Sequence, residues 1–379
     1  MKKRVGIITL YHNSHNYGGL LQAYALVKII SKMGYVVEQI DYNSEKAPKL
    51  FLSRIKKCIN YMLHKYEKND NEIPEMIKKS ILERWQELDL FREQIPHSIE
   101  YDDKTIKKSL SQYDIFVCGS DQIWNYFFNR VYYLNFVPKS KIKFSYAASM
   151  VGGKQKIKIK YWIYRSLNKL DSISVREAAL VPELSYVKSD VCCVLDPTLL
   201  LSKEEWIDFS KPIKVYKSYV FAYFLGNDKN MRNLVSAYAK KNNLIIITLP
   251  FLNNDNIQAD MNFGDIQLFS VNPRELISYI LNATFIFTDS FHITLFANIL
   301  EKQFVTFERV GKTNMNIRIE SLLSIFNNRN RLLKSTKDKS LSCVENLEDI
   351  KYSNHNQKLD DMKKQSFLFL EKNLKNEKI

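Results

Sequence analysis

The segment Thr288-Asp289-Ser290-Phe291-His292 brings a carboxyl, a hydroxyl and an imidazole together directly after an apolar run, residues 285–287. The run predicts a buried strand, the polar residues a turn, and His292 the start of the next helix. The amino end of a helix favours a bound anion, and histidine transfers protons near neutral pH. A lone histidine is more often structural, but a position at the carboxyl end of a strand favours a functional site.

A second polar loop, residues 11–19, follows the first predicted strand and ends in Gly18-Gly19 at the start of a helix. Glycines let a ligand approach the backbone, and helix amino ends bind anions. The spacing matches neither the dinucleotide fingerprint nor a P-loop. A tight turn explains the glycines equally well.

A third loop, residues 118–125, offers groups suited to sugar hydroxyls, namely Asp121, Gln122, Trp124 and Asn125. Carboxylates and amides hydrogen-bond hydroxyls, and an indole face stacks on a sugar ring. An Asp that caps a helix and a core tryptophan form an equally good interpretation.

A fourth candidate is Arg176, which follows the strand predicted over residues 172–175. An arginine at a strand end suits bidentate capture of phosphate or carboxylate. Neighbours on a strand face opposite ways, so Arg176 and Glu177 should not pair while extended. The alternative is a salt bridge to another segment.

The elements that carry these loops alternate between strand and helix. Residues 5–10, 19–33 and 36–40 predict a βαβ unit, which brings a parallel sheet with a right-handed crossover. Residues 44–113 are strongly charged and predicted helical. A polar stretch, residues 201–215, separates a second α/β series. We expect a first domain over residues 1–200, a second over 216–335, and a C-terminal helix within 355–379 that packs back on the first.

Composition indicates a globular protein with a net charge of +15 and a pI of about 9.3. Such a charge attracts anions. Lys and Arg are spread along the chain and form no stripe with interleaved aromatics, so we expect no nucleic-acid partner. Residues 50–63 mix apolar and basic side chains; they suit either an anionic membrane surface or a helix that covers the sheet, and the second is favoured.

The N-terminal residues have the charge of a signal peptide but neither its length nor its cleavage site. We therefore expect a cytoplasmic protein, with peripheral contact at the inner face of the membrane as an open option. The five cysteines show no metal-ligand spacing, and we expect no metal site.

Six segments in this order resemble the polysaccharide pyruvyl transferase family. They are residues 16–26, beginning Asn16-Tyr17-Gly18 and including Gln22, residues 119–125, 145–149, 173–177, 195–200 and 289–292. The resemblance implies two Rossmann-like α/β domains facing across a cleft, similar to the GT-B glycosyltransferases. It also implies an acceptor side in the first domain and a donor side in the second.

The same resemblance implies phosphoenolpyruvate as co-substrate, with no cofactor or metal. The acceptor would be a sugar in a surface polysaccharide (capsule or exopolysaccharide) or a lipid-linked oligosaccharide precursor, and the product a pyruvate ketal plus phosphate. A general acid must protonate carbon 3 of the enol, which implies His292 and Asp289 as catalytic residues. Arg176 matches the family's donor-binding arginine, and Arg318, Arg309 and Ser290 complete the expected donor set. Some members carry arginine where this chain has Ser290.

The expected acceptor-binding residues come from the two loops of the first domain: Asn16, Tyr17, Gly18, Gln22, Asp121, Gln122, Trp124 and Asn125. Two other functions stay open. One is a GT-B-like glycosyltransferase that uses a nucleotide sugar, since the architecture would be similar. The other is a non-catalytic glycan-binding subunit.

Overall fold

A computed structural model describes residues 2–44, 75–124, 129–150, 161–215, 217–251, 257–309, 313–334 and 340–376. Residues 50–63, on which the membrane-surface hypothesis rests, lie outside these ranges. The chain forms two compact units. The first contains residues 1–68, 88–201 and 360–379, and the second contains residues 69–87 and 202–359.

The first unit is built on a six-stranded parallel sheet in the order β2-β1-β3-β4-β5-β6. Its central strands are largely buried on both faces, and apolar residues predominate in them. The strand order reverses between β1 and β3, which makes the carboxyl ends of these two strands the expected ligand site. The strands are β1 Arg4–Ile8, β2 Val36–Gln39, β3 Ile115–Trp124, β4 Ile142–Met150, β5 Ser174–Val175 and β6 Cys192–Cys193.

Helix α1 connects β1 to β2 and is buried along most of its length. Asn16 caps it by accepting a hydrogen bond from Gly19 N, and Gly34, at a φ of 96°, follows its last turn. A positive φ suits glycine and ends the helix cleanly. The helices up to the end of the first sheet are α1 Tyr17–Lys32, α2 Glu75–Glu93, α3 Tyr161–Leu167 and α4 Leu180–Leu184, with 3-10 turns at Ile106–Ser111, Arg130–Tyr133 and Pro197–Leu200.

The second unit has a six-stranded parallel sheet in the order β12-β11-β10-β7-β8-β9. Read from the other edge, this is the strand order of the dinucleotide-binding Rossmann fold, with the reversal between β7 and β10. The strands are β7 Tyr219–Tyr223, β8 Ile245–Thr248, β9 Ile266–Gln267, β10 Phe285–Thr288, β11 Phe304–Phe307 and β12 Leu332–Leu333.

Several helices around the second sheet begin with strong caps. Ser202 with Glu205, and Asn272 with Glu275, form reciprocal capping boxes that satisfy the first N–H groups of two helices. The remaining helices of the chain are α5 Lys203–Phe209, α6 Lys229–Lys241, α7 Ile257–Asp260, α8 Pro273–Asn282, α9 Phe291–Ile299, α10 Thr313–Ile325, α11 Leu341–Glu345 and α12 Gln357–Lys375, with a 3-10 turn at Arg329–Arg331.

Helix α12 packs on the first sheet. Ser366 Oγ accepts a hydrogen bond from Leu195 N at 3.0 Å, and the Phe369 ring lies 5.9 Å from that of Phe144. In the described part of the chain, no helix is both long and apolar enough to cross a membrane.

The expectation of helix throughout residues 44–113 is wrong in its later part. Helix α2 ends at Glu93, shortly before Pro96, because a proline disfavours the helical conformation in the residue that precedes it. The chain then runs beside β2, with bridges from His97 to Gln39 and from Tyr101 to Tyr42.

Residues 75–87, which fall within the expected first domain, group with the second compact unit. The reason is visible at Arg84. Its guanidinium donates to the carbonyl oxygens of Phe269, Pro250 and Leu268 at 2.6, 2.7 and 3.0 Å. One buried cation therefore ties the first part of α2 to the second unit.

Candidate functional site

The turn after β10 is fixed by Asp289, whose side chain is fully buried. Its two carboxylate oxygens accept hydrogen bonds from Leu225 N at 2.7 Å and Gly226 N at 2.9 Å. Asp289 thus joins the turn after β10 to the loop after β7, at the point where the strand order of the second sheet reverses. Both oxygens of Asp289 are engaged by backbone N–H groups, so this side chain positions the two loops, and its catalytic role stays a prediction.

Burial raises the pKa of Asp289, while Arg309 and the two backbone N–H groups act to lower it. The loop is tight at Gly226, where a Cβ would lie 3.0 Å from Asp289 Oδ2, so a larger residue would press on that carboxylate. Charge and sterics thus combine to hold the two loops in one arrangement.

Arg309 lies just beyond β11, with its side chain 9% exposed and its Nε 3.9 Å from Asp289 Oδ2. Within the described residues, its Nε and Nη2 are buried and make no hydrogen bond. Burial lowers the pKa of Arg309, and Asp289 and Tyr223 oppose that effect. Asn316 fixes the backbone beneath it, accepting from Arg309 N at 3.1 Å. The Nε and Nη2 donors of Arg309 are therefore held at the sheet edge without a hydrogen bond to the described residues.

His292 stands in the first turn of α9, partly buried, with its ring 5.1 Å from that of Phe291 and perpendicular to it. The guanidinium of Arg318 on α10 lies 5.8 Å from the centre of the Phe291 ring. Phe291 therefore has His292 and Arg318 as neighbours, which places an imidazole and a second cation near one helix end.

Ser290 is the residue before α9, but its side chain does not cap the helix. Its backbone N–H donates to Thr288 Oγ1 at 3.0 Å, and Thr288 Oγ1 donates in turn to Tyr223 O at 2.7 Å. The first-turn N–H groups of α9 are thus not satisfied by a capping side chain. Guanidinium groups and helix N–H groups both attract anions, so Arg309, Arg318 and the start of α9 form an arrangement suited to an anion.

The carboxyl edge of the first sheet differs in charge from that of the second. Arg176 is buried there and contacts three carboxylates, with Asp196 at 2.8 Å, Glu177 at 3.2 Å and Asp121 at 3.6 Å. Burial acts to lower the pKa of Arg176, but Glu177, Asp196 and Asp121 raise it overall. One cation among three carboxylates leaves this edge negative.

This arrangement does not support the predicted donor role of Arg176, because the surrounding carboxylates repel an anion. It also corrects the expectation that Arg176 and Glu177 do not pair. Strand β5 is only two residues long, Ser174–Val175, so both side chains lie beyond it and are not bound by its alternation. Glu177 Oε1 further accepts from Ser149 Oγ at 2.9 Å, whereas its buried Oε2 has no hydrogen-bond partner in the described part of the chain.

The predicted acceptor residues of β3 separate into surface and core. Asp121 has a φ of 75° and a side chain 14% exposed at the sheet edge, with Gln122 beside it. Trp124 is fully buried and stacks on Tyr133, with ring centres 6.0 Å apart. Trp124 is therefore a core residue. Asp121 is no helix cap, because β3 continues through Trp124. Asn125 lies outside the described residues.

The predicted acceptor residues of the first loop mostly build the loop itself. Asn16 caps α1 and is exposed, whereas Tyr17 and Gly18 are buried. Gln22 is fully buried, and its Nε2 donates to Gly19 O at 2.8 Å and to Thr9 Oγ1 at 3.3 Å. Of these four residues, only Asn16 presents its side chain to solvent.

The sequence did not single out His12, whose Nδ1 lies 2.8 Å from Asp41 Oδ1. A signal was present: His12 follows β1 and Asp41 follows β2, and the carboxyl ends of adjacent parallel strands lie side by side.

A family model described as polysaccharide pyruvyl transferase matches residues 16–309. No curated protein matches the chain in sequence.

Two solved structures illustrate the likeness in fold. The UDP-GlcNAc 2-epimerase from Methanocaldococcus jannaschii, in complex with UDP-GlcNAc and UDP, matches with a TM-score of 0.53 and 13% identity over 98% of this chain and 100% of that one. The UDP-GlcNAc 2-epimerase from Neisseria meningitidis, bound to UDP-GlcNAc, matches with a TM-score of 0.50 and 11% identity over 99% of this chain and 100% of that one. At these identities the likeness concerns the fold alone, and it confirms two Rossmann-like α/β domains.

Proposed function

Because the chain belongs to the polysaccharide pyruvyl transferase family, we propose that it transfers the pyruvyl group of phosphoenolpyruvate to two hydroxyls of a sugar. The sugar belongs to a surface polysaccharide or to its lipid-linked precursor. The products are a cyclic pyruvate ketal and inorganic phosphate. The observation that carries this proposal is the grouping of Arg309, Arg318 and His292 around the amino end of α9.

The second unit binds the donor. Phosphoenolpyruvate carries a phosphate and a carboxylate, and both need cationic or N–H donors. Arg309 offers buried donors without hydrogen-bond partners among the described residues, Arg318 adds a second guanidinium, and α9 adds its first-turn N–H groups. Two arginines accompany one carboxylate, Asp289, so the local charge favours a dianion. Ser290 leaves room beside the helix end where some relatives carry an arginine.

His292 is the general acid. It lies in the same turn of α9 as the anion site, so a donor held there has an imidazole within reach. Positioned proton transfer contributes roughly 10²- to 10⁴-fold to a rate. Asp289 does not share this task, and it acts by holding the loop after β7 and the cation of Arg309.

The first unit binds the acceptor. Its sheet edge presents Asp121 and Glu177, with Glu177 Oε2 lacking a hydrogen-bond partner among the described residues. Carboxylate oxygens accept hydrogen bonds from sugar hydroxyls. A negatively charged edge favours a neutral, hydroxyl-rich ligand over the anionic donor. This charge supports acceptor binding by the first unit and donor binding by the second.

The proposed reaction balances without a redox partner. His292 protonates carbon 3, carbon 2 becomes electrophilic, and the first hydroxyl oxygen bonds to it as its proton leaves. The carbon 2–oxygen bond to phosphate then breaks, and the electron pair departs with phosphate. The second hydroxyl closes the ketal and releases its proton. Of the two protons released, one restores the acid and the other goes to phosphate.

The test is phosphate release from phosphoenolpyruvate with a panel of galactosides, glucosides and N-acetylmannosaminides, both soluble and lipid-linked. A ketal methyl signal in the NMR spectrum of the product identifies the transfer. Absence of phosphate release with every acceptor would count against the proposal.

Substitution of His292 tests its assignment as the general acid. His292→Asn should retain donor binding and lose kcat by about 10²- to 10⁴-fold. His355→Asn is a matched control in the second unit, because His355 is exposed and its ring lies 3.0 Å from nearby Gln357 Oε1. Equal activity of the two variants would remove His292 from the mechanism.

A nucleotide-sugar transferase is a second candidate, favoured by one observation. The second sheet has the dinucleotide-binding strand order, and its site lies at the reversal point, where nucleotides bind in that fold. Thermal protection by UDP but not by phosphoenolpyruvate would support this candidate over the first. Protection by phosphoenolpyruvate alone would exclude it.

A further inference from the structure

His12 and Asp41 form a pair at the carboxyl edge of the first sheet. His12 follows β1 and Asp41 follows β2, and these strands are parallel neighbours. Their contact, Nδ1 to Oδ1 at 2.8 Å, is well within hydrogen-bond range. Side-chain exposures of 11% and 14% show that both groups are largely withdrawn from water.

The pair is rigidly held. Asp41 N donates to Ser98 Oγ at 3.0 Å, and Tyr101 N donates to Asp41 O at 2.7 Å. On the other side, Tyr11 OH donates to Arg92 O at 2.6 Å and fixes the residue before His12. An aspartate that accepts from Nδ1 leaves the lone pair on Nε2, which makes Nε2 the basic atom of the ring.

The Nε2 atom of His12 is buried and has no hydrogen-bond partner in the described part of the chain. Buried polar atoms are rarely left without a partner, and an exception calls for an explanation such as a ligand. The same loop supplies a contrast in His15, whose Nε2 lies 3.5 Å from Asp89, a residue whose side chain is 42% exposed.

We propose that His12 is the general base that accepts the proton of the attacking acceptor hydroxyl, with Asp41 as its positioning residue. This inference rests on the proposed function. The hydroxyl O–H bond breaks as the oxygen bonds to carbon 2 of the donor, and the proton moves to His12 Nε2. Loss of that proton to phosphate or to solvent returns the ring to its starting form. The pair lies at the carboxyl edge of the first sheet, which the proposed function assigns to the acceptor.

The kinetic test compares His12→Gln with His15→Gln, using phosphate release with an acceptor that wild type accepts. We expect His12→Gln to lower kcat by about 10²- to 10⁴-fold, with the donor Kd unchanged. His15→Gln should keep wild-type kcat. In His12→Ala, added imidazole should restore turnover, whereas thiazole, similar in shape but far less basic, should not.

Three results separate the possible failures. Wild-type kcat in His12→Gln, in an otherwise active enzyme, would overturn the role of His12 and leave the proposed function intact. A loss of kcat without imidazole rescue, accompanied by a loss of thermal stability, would assign His12 a structural task. An inactive wild type would instead remove the proposed function.

A second measurement does not need turnover. Nitrogen-15 NMR of the histidine rings should show His12 protonated at Nδ1 and not at Nε2. Addition of an acceptor glycoside, without donor, should shift the His12 Nε2 resonance and leave His15 unchanged. Failure of every acceptor in the panel to shift this resonance would overturn the proposal.

Discussion

Replacing Arg309 by methionine should separate donor binding from stability. The guanidinium is buried beside Asp289, yet its Nε and Nη2 make no hydrogen bond to the described residues. Its removal therefore breaks no hydrogen bond made by these two atoms. The substitution removes the attraction between Arg309 and Asp289, whose charged atoms are 3.9 Å apart. Part of that loss is compensated, because a cation no longer has to be transferred from water into the protein interior.

The expected magnitudes follow from those contacts. A hydrogen bond to a charged group contributes about 1.5–3 kcal/mol. Loss of that energy should weaken phosphoenolpyruvate binding by about 10- to 150-fold, since about 1.4 kcal/mol corresponds to a factor of ten. The free energy of unfolding should fall by much less than the about 3–5 kcal/mol typical of a broken buried ion pair, because Asp289 keeps both of its backbone N–H hydrogen bonds and the pair at 3.9 Å is a loose one.

Isothermal titration with phosphoenolpyruvate and urea unfolding measure the two quantities on the same protein. Arg329→Met is the matched control, because Arg329 bonds to Ser324 at the surface of the same unit. The reasoning would be refuted by wild-type donor affinity in Arg309→Met. It would equally be refuted by a stability loss of several kcal/mol, which would show that the fold itself depends on this cation.

Three further predictions concern buried charges. Burial raises the pKa of Asp289, so its stabilising contribution is complete below the unfolded pKa of about 3.9 and is lost as pH rises through the folded value. The free energy of unfolding of Asp289→Asn should therefore increase, relative to that of wild type, as the pH rises above about 4; a constant difference would contradict this. Arg176→Met leaves three carboxylates without their cation and should cost about 3–5 kcal/mol in urea unfolding, whereas a neutral effect would show that water reaches the cluster. Arg84→Met removes three hydrogen bonds to carbonyl oxygens and should lower stability by roughly 2–4 kcal/mol, and an unchanged melting temperature would refute its role in tying α2 to the second unit.

The sequence by itself determined the class of the fold. Apolar runs such as residues 285–287 predict strands buried on both faces, and their alternation with helices predicts parallel sheets. The ordered segments from Asn16 to His292 also indicated the family, which the family model confirms. This information is local, because each run needs only its own composition to be recognised.

Only the tertiary structure decided what each charged residue does. Arg176 and Arg309 are both arginines at strand ends, and sequence offered both as donor ligands. Three carboxylates from separate segments form ion pairs with Arg176, whereas among the described residues Arg309 forms one, with Asp289 at 3.9 Å. The difference arises from pairing across strands, which residue order does not specify.

The same reason explains Asp289, Trp124 and His12. Asp289 meets two backbone N–H groups from 63 and 64 residues earlier in the chain, Trp124 enters the core, and His12 meets Asp41 only because β1 and β2 are adjacent. Sequence thus locates the polar turns at strand ends. The order of strands in each sheet decides which of these turns become neighbours, and therefore which charges are neutralised and which remain available to a ligand.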